Sequence, residues 1–370
     1  MRILRRMLVW LLGLGLTAAA LSALAASGAV FHFWIFLKTP GTAEEVSRLT
    51  INQGMNARQV AAILHGKGVV RDPRLFYLLC RFHHVPEALP QVMEGRFREF
   101  YRWCRQDRCA RTLHAGDYAF PPVLTPPQVY EWLREGRVVE HRVTFPEGTT
   151  VRDVARIVAQ EGLGDRDRLL ELARDPNFIA SLGLEHPSLE GYLFPETYFF
   201  RASHDEEDIL KAMARQFDER FPRAWKERAR ELGFTVHQAV ILASLVESEA
   251  RVDSERPLIA AVFHNRLEKG MLLQSDPTAV YDLPDFSGPI TREHLERESP
   301  YNTYRKKGLP LGPICNPGSK SLEAVLYPEE TSYLYFVSNN DGTHRFSETW
   351  NDHVKAVRHY RRKLQEENGG

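Results

Sequence analysis

VHQAVILASLVESEA spans residues 236–250, and its first eleven residues are almost entirely apolar. A helix that is apolar on every side is a buried helix, so we expect this one at the centre of a folded domain. Glu247 and Glu249 lie at its C-terminal end. Glu247 shares one helical stripe with Ala243 and Val240, whereas Glu249 lies about 200° further round and points elsewhere.

Glu247 is the first candidate for chemistry. A carboxyl group flanked by apolar surface is costly to ionise, which raises its pKa and keeps a proton on it near neutral pH. General acid catalysis at a glycosidic oxygen needs a carboxyl group in that state. The alternative for a glutamate in this position is a solvated or ion-paired helix terminus. The helix alone does not decide between the two.

After about residue 185 the sequence pattern is typical of a domain that mixes helices and strands. Helical patterns over 207–217, 236–250 and 256–269 alternate with loops rich in Pro, Gly, Asn and Ser. A strand at 333–338 and an amphipathic helix from about 348 to 364 follow. This half is predicted to be α+β and to carry the active site.

Three loops of this half are dense in polar side chains: SLEGYLFPETYFF (188–200), FHNRLEKGMLLQSDPTAVY (263–281) and SPYNTYRKKGLPLGPICNPG (299–318). Proline and glycine hold such loops rigid, and binding groups are often found there. Tyrosine rings pack on sugar faces, and amides bind hydroxyl groups. These residues therefore suit a neutral sugar ligand. A turn-forming or capping role is the alternative for each of them.

A repeat lies upstream of this half. LTINQGMNARQVAAILHGKGVV (49–70) aligns with VTFPEGTTVRDVARIVAQEGLG (143–164) at a constant offset of 94. Each copy reads as a strand, a glycine turn and an amphipathic helix that ends at a glycine, and a second helix follows. One such unit cannot bury its own apolar face, so we expect each to pack on neighbouring strands, with 117–120 and 138–143 as candidates.

The N-terminus predicts a membrane anchor. Arg2, Arg5 and Arg6 precede residues 7–37, which contain no Asp, Glu, Lys or Arg. A membrane span needs about 20 apolar residues, and the basic flank places residues 1–6 in the cytoplasm. The rest of the chain would lie outside. The alternative is a signal peptide cleaved near the alanines at 23, 25 and 26, although the apolar run continues well past them.

Composition argues against two other kinds of function, nucleic-acid binding and zinc binding. The 48 basic residues equal the 48 acidic ones, which argues against a nucleic-acid partner. The cysteines at 80, 104, 109 and 315 lack zinc-ligand spacing, so no metal is expected. Cys104 and Cys109 can form a disulfide or remain two separate thiols. The basic, aromatic segment 96–111 reads as a solvated insert, or as a contact for anionic wall polymer or lipid headgroups.

The polar loops and the buried helix together resemble a known family. SLEGYLFPETY, ASLVESEA with a downstream SER, FHNRLEKGMLLQSDPT, SPYNTY, GLPLGPICNPG and YLYFVSNNDGTHRF look like the motifs of the YceG-like family of endolytic murein transglycosylases, in the same order. The likeness covers roughly residues 45–365. It implies a LysM-like small α/β domain over 41–140 and a catalytic α+β domain over 141–365. Leu311, where a proline is common, and the insert at 96–111 depart from the family pattern.

The resemblance implies a lytic transglycosylase that cleaves the bond between N-acetylmuramic acid and N-acetylglucosamine without water and leaves 1,6-anhydro ends. It would act on nascent glycan strands at the inner membrane, on the periplasmic side, with no cofactor and with cell-wall synthases as candidate partners. The family's catalytic glutamate falls on Glu247. The remaining matched positions would orient the substrate or support that glutamate: Glu190, Asp276, Tyr301, Asn302, Tyr304 and Asn316.

Two other functions stay open. A hydrolase would use a second carboxylate, such as Glu190 or Asp276, to activate water. A scaffold without activity would bind glycan through its LysM-like units and anchor it at the membrane.

Overall fold

A computed structural model describes residues 25, 27–82, 113–201, 203–284 and 286–368, with side chains up to 362. The chain divides into two compact units. The first comprises residues 1–141 and 201–203, and the second comprises 142–200 and 204–370. Helices alternate with three two-stranded sheets, which confirms the predicted α+β class.

The first unit is a small α/β arrangement. Strand β1 (Ser47–Ile51) pairs antiparallel with β2 (Gly116–Phe120), and three helices follow the chain: α1 (Ala57–Gly66), α2 (Pro73–Phe82) and α3 (Pro126–Glu135). The predicted strand partner at 117–120 is therefore confirmed. Apolar faces of these elements enclose one core, which includes Leu64, Phe76 and Leu133. The insert at 96–111, with Cys104 and Cys109, lies outside the described residues.

The predicted membrane anchor is only partly described. Residues 27–38 are helical, and Phe36 from this segment is buried in the core of the first unit. Within the described ranges, no helix combines the length and the apolar character that crossing a membrane requires. Residues 7–24 lie outside those ranges, so the anchor stays a prediction.

The second unit carries most of the helices. Strand β3 (Glu140–Thr144) pairs with β4 (Thr197–Arg201), and β5 (Tyr335–Ser338) pairs antiparallel with β6 (His344–Ser347). The helices are α4 (Val151–Gln160), α5 (Arg166–Leu172), α6 (Pro176–Ser181), α7 (Glu206–Arg220), α8 (Arg223–Glu231), α9 (Val236–Glu249), α10 (Arg256–Glu268), α11 (Arg292–Glu296), α12 (Ser319–Leu326) and α13 (Trp350–Asn368). Helices and strands predicted from the sequence in this half are found within a few residues of their expected bounds.

The repeat has the same local structure in both copies. Asn56 and Thr150, 94 residues apart, each cap the following helix with a side-chain oxygen. The side chains of Gln59 and Asp153 in turn accept the backbone N–H of the capping residue. Such a capping box satisfies donors that every helix N-terminus leaves open. The strand, turn and helix predicted for each copy are thus confirmed.

Helix α9 forms the centre of the second unit. Every residue from Ala239 to Val246 is buried, and the surrounding core draws on α10, α12 and the loop that carries Ile314. The helix has no polar face because it is enclosed on all sides, which agrees with the prediction from its composition. Glu247 and Glu249 emerge where α9 leaves this core.

Candidate active site

The carboxylate of Glu247 is held by one side chain and one backbone group. Its Oε1 lies 2.9 Å from Nη1 of Arg256, and its Oε2 accepts the N–H of Gly318 at 2.9 Å. The Glu247 side chain is only 5% exposed. The sequence predicted an apolar environment for this carboxyl group. That expectation is wrong, because α10 and the loop before α12 bring an arginine and an N–H to it.

The loop before α12 is attached to α9 along its length. Ser244, fully buried on α9, accepts the N–H of Ile314 at 3.1 Å, and the thiol of Cys315 donates to the Ser244 carbonyl at 3.4 Å. The Gly318 N–H then reaches Glu247. Because the loop runs beside the helix in this register, the position of the Glu247 carboxylate is fixed by backbone as well as by Arg256.

Arg256 gathers several oxygens around its guanidinium. Besides Glu247, its Nε lies 3.1 Å from Asp253 and its Nη2 lies 3.7 Å from Oε2 of Glu147. Nη1 also donates to the hydroxyl of Ser321. The arginine side chain is 8% exposed. Although burial opposes its charge, the neighbouring carboxylates raise the pKa of Arg256, with Glu247 the largest of them.

Glu147 is a second carboxyl group beside Glu247. It belongs to the turn of the second repeat copy, and its side chain is 45% exposed. Burial raises the pKa of Glu147, and the charge of Glu247 raises it further, while Arg256 and Lys320 act in the opposite sense. The turn is fixed because the N–H of Gly148 donates to the Asn316 carbonyl at 3.0 Å, and the N–H of Asn316 donates to the Thr149 carbonyl at 2.9 Å.

Gly318 leaves room for the Glu147 side chain. A Cβ on Gly318 would lie 1.9 Å from Oε1 of Glu147, far inside van der Waals contact. The backbone there is ordinary, with a φ of −77°. Space is therefore the reason for glycine at this position.

A cavity of about 410 Å³ opens next to this cluster. Gly148 and Ser248, the residues that adjoin Glu147 and Glu247, line it. The Cγ of Glu247 lies 3.7 Å from the place of a Cβ on Gly148. The remaining wall mixes polar and apolar side chains: Thr150, Arg152, Asp153, Pro277, Val280, Tyr281, Leu283, Phe286, Ile290, Ile314 and Cys315. The cavity thus presents both kinds of surface that a sugar ligand uses.

Glu190 is a buried carboxyl group behind the cavity wall. It is 4% exposed, and it accepts hydrogen bonds from the N–H of Val151 at 3.0 Å and the hydroxyl of Tyr281 at 2.7 Å. Burial raises the pKa of Glu190 to about 7, although both bonds act against this shift. Glu190 braces the start of α4 and the cavity residue Tyr281. Its oxygens are engaged and do not face a free reactant.

Asn316 is a brace as well. Its Oδ1 accepts the N–H groups of Gly191 at 2.9 Å and Leu193 at 3.0 Å, and its Nδ2 donates to the Thr149 carbonyl at 2.8 Å. The side chain is completely buried. It ties the loop of Glu190 and the turn of Glu147 to the loop of Gly318, which is a supporting role and excludes direct contact with a ligand.

Glu249 belongs to a separate cluster, as its angular position on the helix predicts. Its Oε1 accepts the hydroxyl of Ser275 at 2.6 Å, and the neighbouring Asp276 accepts the hydroxyl of Tyr304. Burial raises the pKa of Glu249 to about 7, with Asp276 adding to the shift. The structure therefore does not bring Asp276 and Tyr304 to Glu247.

The two remaining candidates also differ in role. Asn302 is fully buried, donates to the carbonyls of Leu295 at 3.1 Å and Arg297 at 2.7 Å, and so closes the C-terminal end of α11. The ring of Tyr301 packs at a tilt against that of the cavity residue Tyr281, with ring centroids 4.7 Å apart. Burial raises the pKa of Tyr301. Tyr301 stays close to the cavity, whereas Asn302 holds the loop.

Sequence reasoning missed Arg256, Glu147 and Gly318. A signal existed for Glu147, because the first repeat copy has Gln53 at the equivalent position and only the second copy has a carboxylate. Arg256 closes the SER motif that follows α9. Among the described residues, no group of three or more His, Cys, Asp or Glu side chains is placed to hold a metal ion.

Comparisons with known proteins agree with these motifs. The model of the YceG-like family matches residues 49–359. A Bacillus subtilis (strain 168) protein named endolytic murein transglycosylase is 37% identical over 338 residues, which are 86% of this chain and 86% of that protein. A Streptococcus pneumoniae (serotype 2, strain D39) protein of the same name is 25% identical over 83% of this chain, but only 57% of its own length is matched.

A solved structure matches as well. A crystal structure of a yceG-like protein from Listeria monocytogenes superposes with a TM-score of 0.55 at 31% identity, covering 85% of this chain and 99% of that one. The family match extends over both compact units and includes every residue of the Glu247 cluster. The chain is therefore a member of the YceG-like family.

Proposed function

We propose that this chain is an endolytic murein transglycosylase in which Glu247 acts first as the acid and then as the base. The observation that carries the proposal is the placement of Glu247: an almost fully buried carboxylate, fixed by Arg256 and the Gly318 N–H, next to the cavity. The names of the Bacillus subtilis and Streptococcus pneumoniae relatives support the reaction class.

Glu247 gives up one proton in the first step of the reaction and takes one back in the second. The protonated carboxyl group donates its proton to the oxygen between N-acetylmuramic acid and N-acetylglucosamine, and the glycosidic bond breaks as positive charge develops at C1. The C6 hydroxyl of the same sugar then bonds to C1, and its proton returns to Glu247. One carboxyl group performs both transfers, so no water is consumed and a 1,6-anhydro end forms.

The positions of Glu190 and Asp276 favour this reaction over hydrolysis. A hydrolase needs a second carboxylate that faces a water or the sugar carbon. Glu190 is buried with its oxygens engaged by Val151 and Tyr281, and Asp276 lies in the Glu249 cluster. Glu147 also approaches Arg256, at 3.7 Å from Nη2, and product analysis tests whether it activates water.

The experiment is digestion of purified glycan strands by the full chain in detergent, followed by mass spectrometry of the products. We expect muramyl ends that are lighter by one water than reducing ends. Products that have taken up water would replace the proposal with a hydrolase. Binding without any cleavage, unaffected by Glu247→Gln, would favour the scaffold, whereas cleavage that survives this change would overturn the role of Glu247.

Anchoring is a separate part of the proposal. We infer that the anchor region 7–37 crosses the inner membrane once, with its last part, around Phe36, outside the membrane in the core of the first unit, the second unit on the periplasmic side and nascent glycan strands within reach. The charge-free run and the basic flank support this arrangement. Fusion of a periplasm-dependent reporter after residue 370 should be active, and the chain should stay in the membrane fraction after alkaline extraction. Release of a shortened chain would show a cleaved signal peptide instead.

A further inference from the structure

Arg256 contacts two further carboxylates besides that of the proposed catalytic Glu247. Glu247 and Glu147 approach the same guanidinium, at 2.9 Å from Nη1 and 3.7 Å from Nη2. Asp253 contacts Nε at 3.1 Å. Lys320 also pairs with Asp253. Among the cluster's described cations, only Arg256 contacts both Glu247 and Glu147, so these two carboxylates share its charge.

We propose that Glu147 is a positioning residue for glycan cleavage: by drawing on the guanidinium that Glu247 uses, its carboxylate sets the pH range in which Glu247 can hold the proton for the first step. The inference rests on the proposed function, because it assigns a partner to the same acid. In this proposal Glu147 acts through Arg256 and transfers no proton itself.

The geometry keeps Glu147 in place. Gly148 and Thr149, which follow it, bond to the backbone of Asn316, so the turn cannot move away from the loop of Gly318. The missing side chain at Gly318 leaves the space that the Glu147 carboxylate fills. The two backbone bonds and the space at Gly318 together keep the Glu147 carboxylate beside the buried Arg256.

The repeat gives an internal comparison. Both copies have the same turn and the same capping box, yet Gln53 occupies the position of Glu147 in the first copy. The turn therefore does not require a carboxylate for its own structure. The charge at residue 147 instead interacts with charged side chains of the second unit. These are Glu247 on α9, Arg256 on α10, Asp253 before α10 and Lys320 on α12.

The effect of Glu147 on the proton has a definite sign. A neighbouring negative charge favours the protonated form of a carboxyl group. Burial raises the pKa of Glu147 and the charge of Glu247 raises it further, so the two side chains are close enough for their charges to interact. Without the Glu147 charge, Arg256 would face Glu247 and Asp253 only, and the proposal predicts that the alkaline limit of activity moves to a lower pH.

The test is the pH dependence of glycan cleavage by the full chain in detergent. In Glu147→Gln, the alkaline side of the activity profile should move down by about half a pH unit or more. Glu147→Asp, which keeps the charge, should be slower but should keep the alkaline limit. Glu231→Gln is the matched control, since it makes the same change in an exposed glutamate paired with Arg228 at 3.0 Å, and its profile should match the wild type.

A second measurement does not depend on activity. In protein labelled with ¹³C at the glutamate carboxyl groups, the Glu147 resonance is the one missing from Glu147→Gln. Its titration midpoint should be lower in Glu247→Gln than in the wild type, because the neighbouring charge is gone. An unchanged midpoint would overturn the coupling.

The outcomes separate the two proposals. A wild-type chain that cleaves glycan, together with Glu147→Gln that loses rate but keeps the wild-type profile, would overturn the role of Glu147 and leave the proposed function intact. A wild-type chain that cleaves no glycan would overturn both.

Discussion

Nη1 of Arg256 lies 2.9 Å from Oε1 of Glu247, and the two side chains are 8% and 5% exposed. A buried ion pair contributes little net stability, but loss of one partner leaves an uncompensated charge in a poorly solvated place. The pair therefore makes α9 and α10 depend on each other at the position where the proposed chemistry occurs.

Arg256→Met should destabilise the protein strongly. We expect the free energy of unfolding to fall by about 3 kcal/mol, because Glu247 loses its cation while it stays buried. Denaturant unfolding monitored by circular dichroism measures this. Arg223→Met removes an exposed partner of Glu227 and should leave the unfolding midpoint unchanged, since exposed pairs contribute little. Similar losses in both variants would contradict the burial argument.

Glu247→Gln should lower glycan cleavage by about 10²–10⁴-fold, the usual contribution of a general acid, while the circular dichroism spectrum stays the same. Glu249→Gln should lose at most a few-fold. It lies in the other cluster, and a glutamine can still accept the Ser275 hydroxyl there. Release of anhydro-muramyl products over time compares the two variants. Equal losses would refute the assignment of Glu247.

Gly318→Ala should displace the Glu147 side chain and leave the backbone conformation at residue 318 unchanged. The added Cβ falls 1.9 Å from Oε1 of Glu147, so the carboxylate has to move, and cleavage should drop by up to about a hundredfold. In a Glu147→Ala background the same change should cost little more, because the clashing side chain is absent. Gly66→Ala, with nothing within 4 Å of its Cβ, is the control. An equal loss in both backgrounds would locate the effect elsewhere.

Asn316→Ala should show how the loops are held together. It leaves the buried N–H groups of Gly191 and Leu193 without their acceptor, at a cost of about 3 kcal/mol in the free energy of unfolding. The exposed Asn177 on α6 offers a comparison, and Asn177→Ala should stay within about 0.5 kcal/mol of the wild type. A small loss at Asn316 would mean that other contacts hold these loops.

Glu190 should make stability fall as the pH rises. Its pKa is about 7 in the folded chain and about 4.5 when exposed, so the folded state binds the proton more tightly between these values. The unfolding free energy should then decrease from pH 4.5 to 7, by on the order of 3 kcal/mol from this group. Thermal unfolding in Glu190→Gln should show a shallower decrease over that window. An identical slope would exclude Glu190 as its source.

The chemistry of the site is divided between positions that the sequence can identify and positions that it cannot. The angular separation of Glu247 and Glu249 follows from helix geometry, and the structure confirms it by placing them in different clusters. The polar loops predicted a site, but two of their asparagines, Asn302 and Asn316, turn out to hold backbone. A side chain's residue type does not reveal whether its hydrogen bonds end in protein or remain free for a ligand.

The sequence by itself determined the local structure: the buried helix α9, the two copies of the strand, turn and helix, and the glycines at the ends of their helices. These features depend on contacts within a few residues, and such contacts appear as periodicity and spacing. Only the tertiary structure decided what surrounds Glu247. Gly318 lies 71 positions along the chain from that carboxylate, and Arg256 and Glu147 reach it from other elements. Packing of the whole second unit brings these groups together, and no local pattern records which distant side chains will meet.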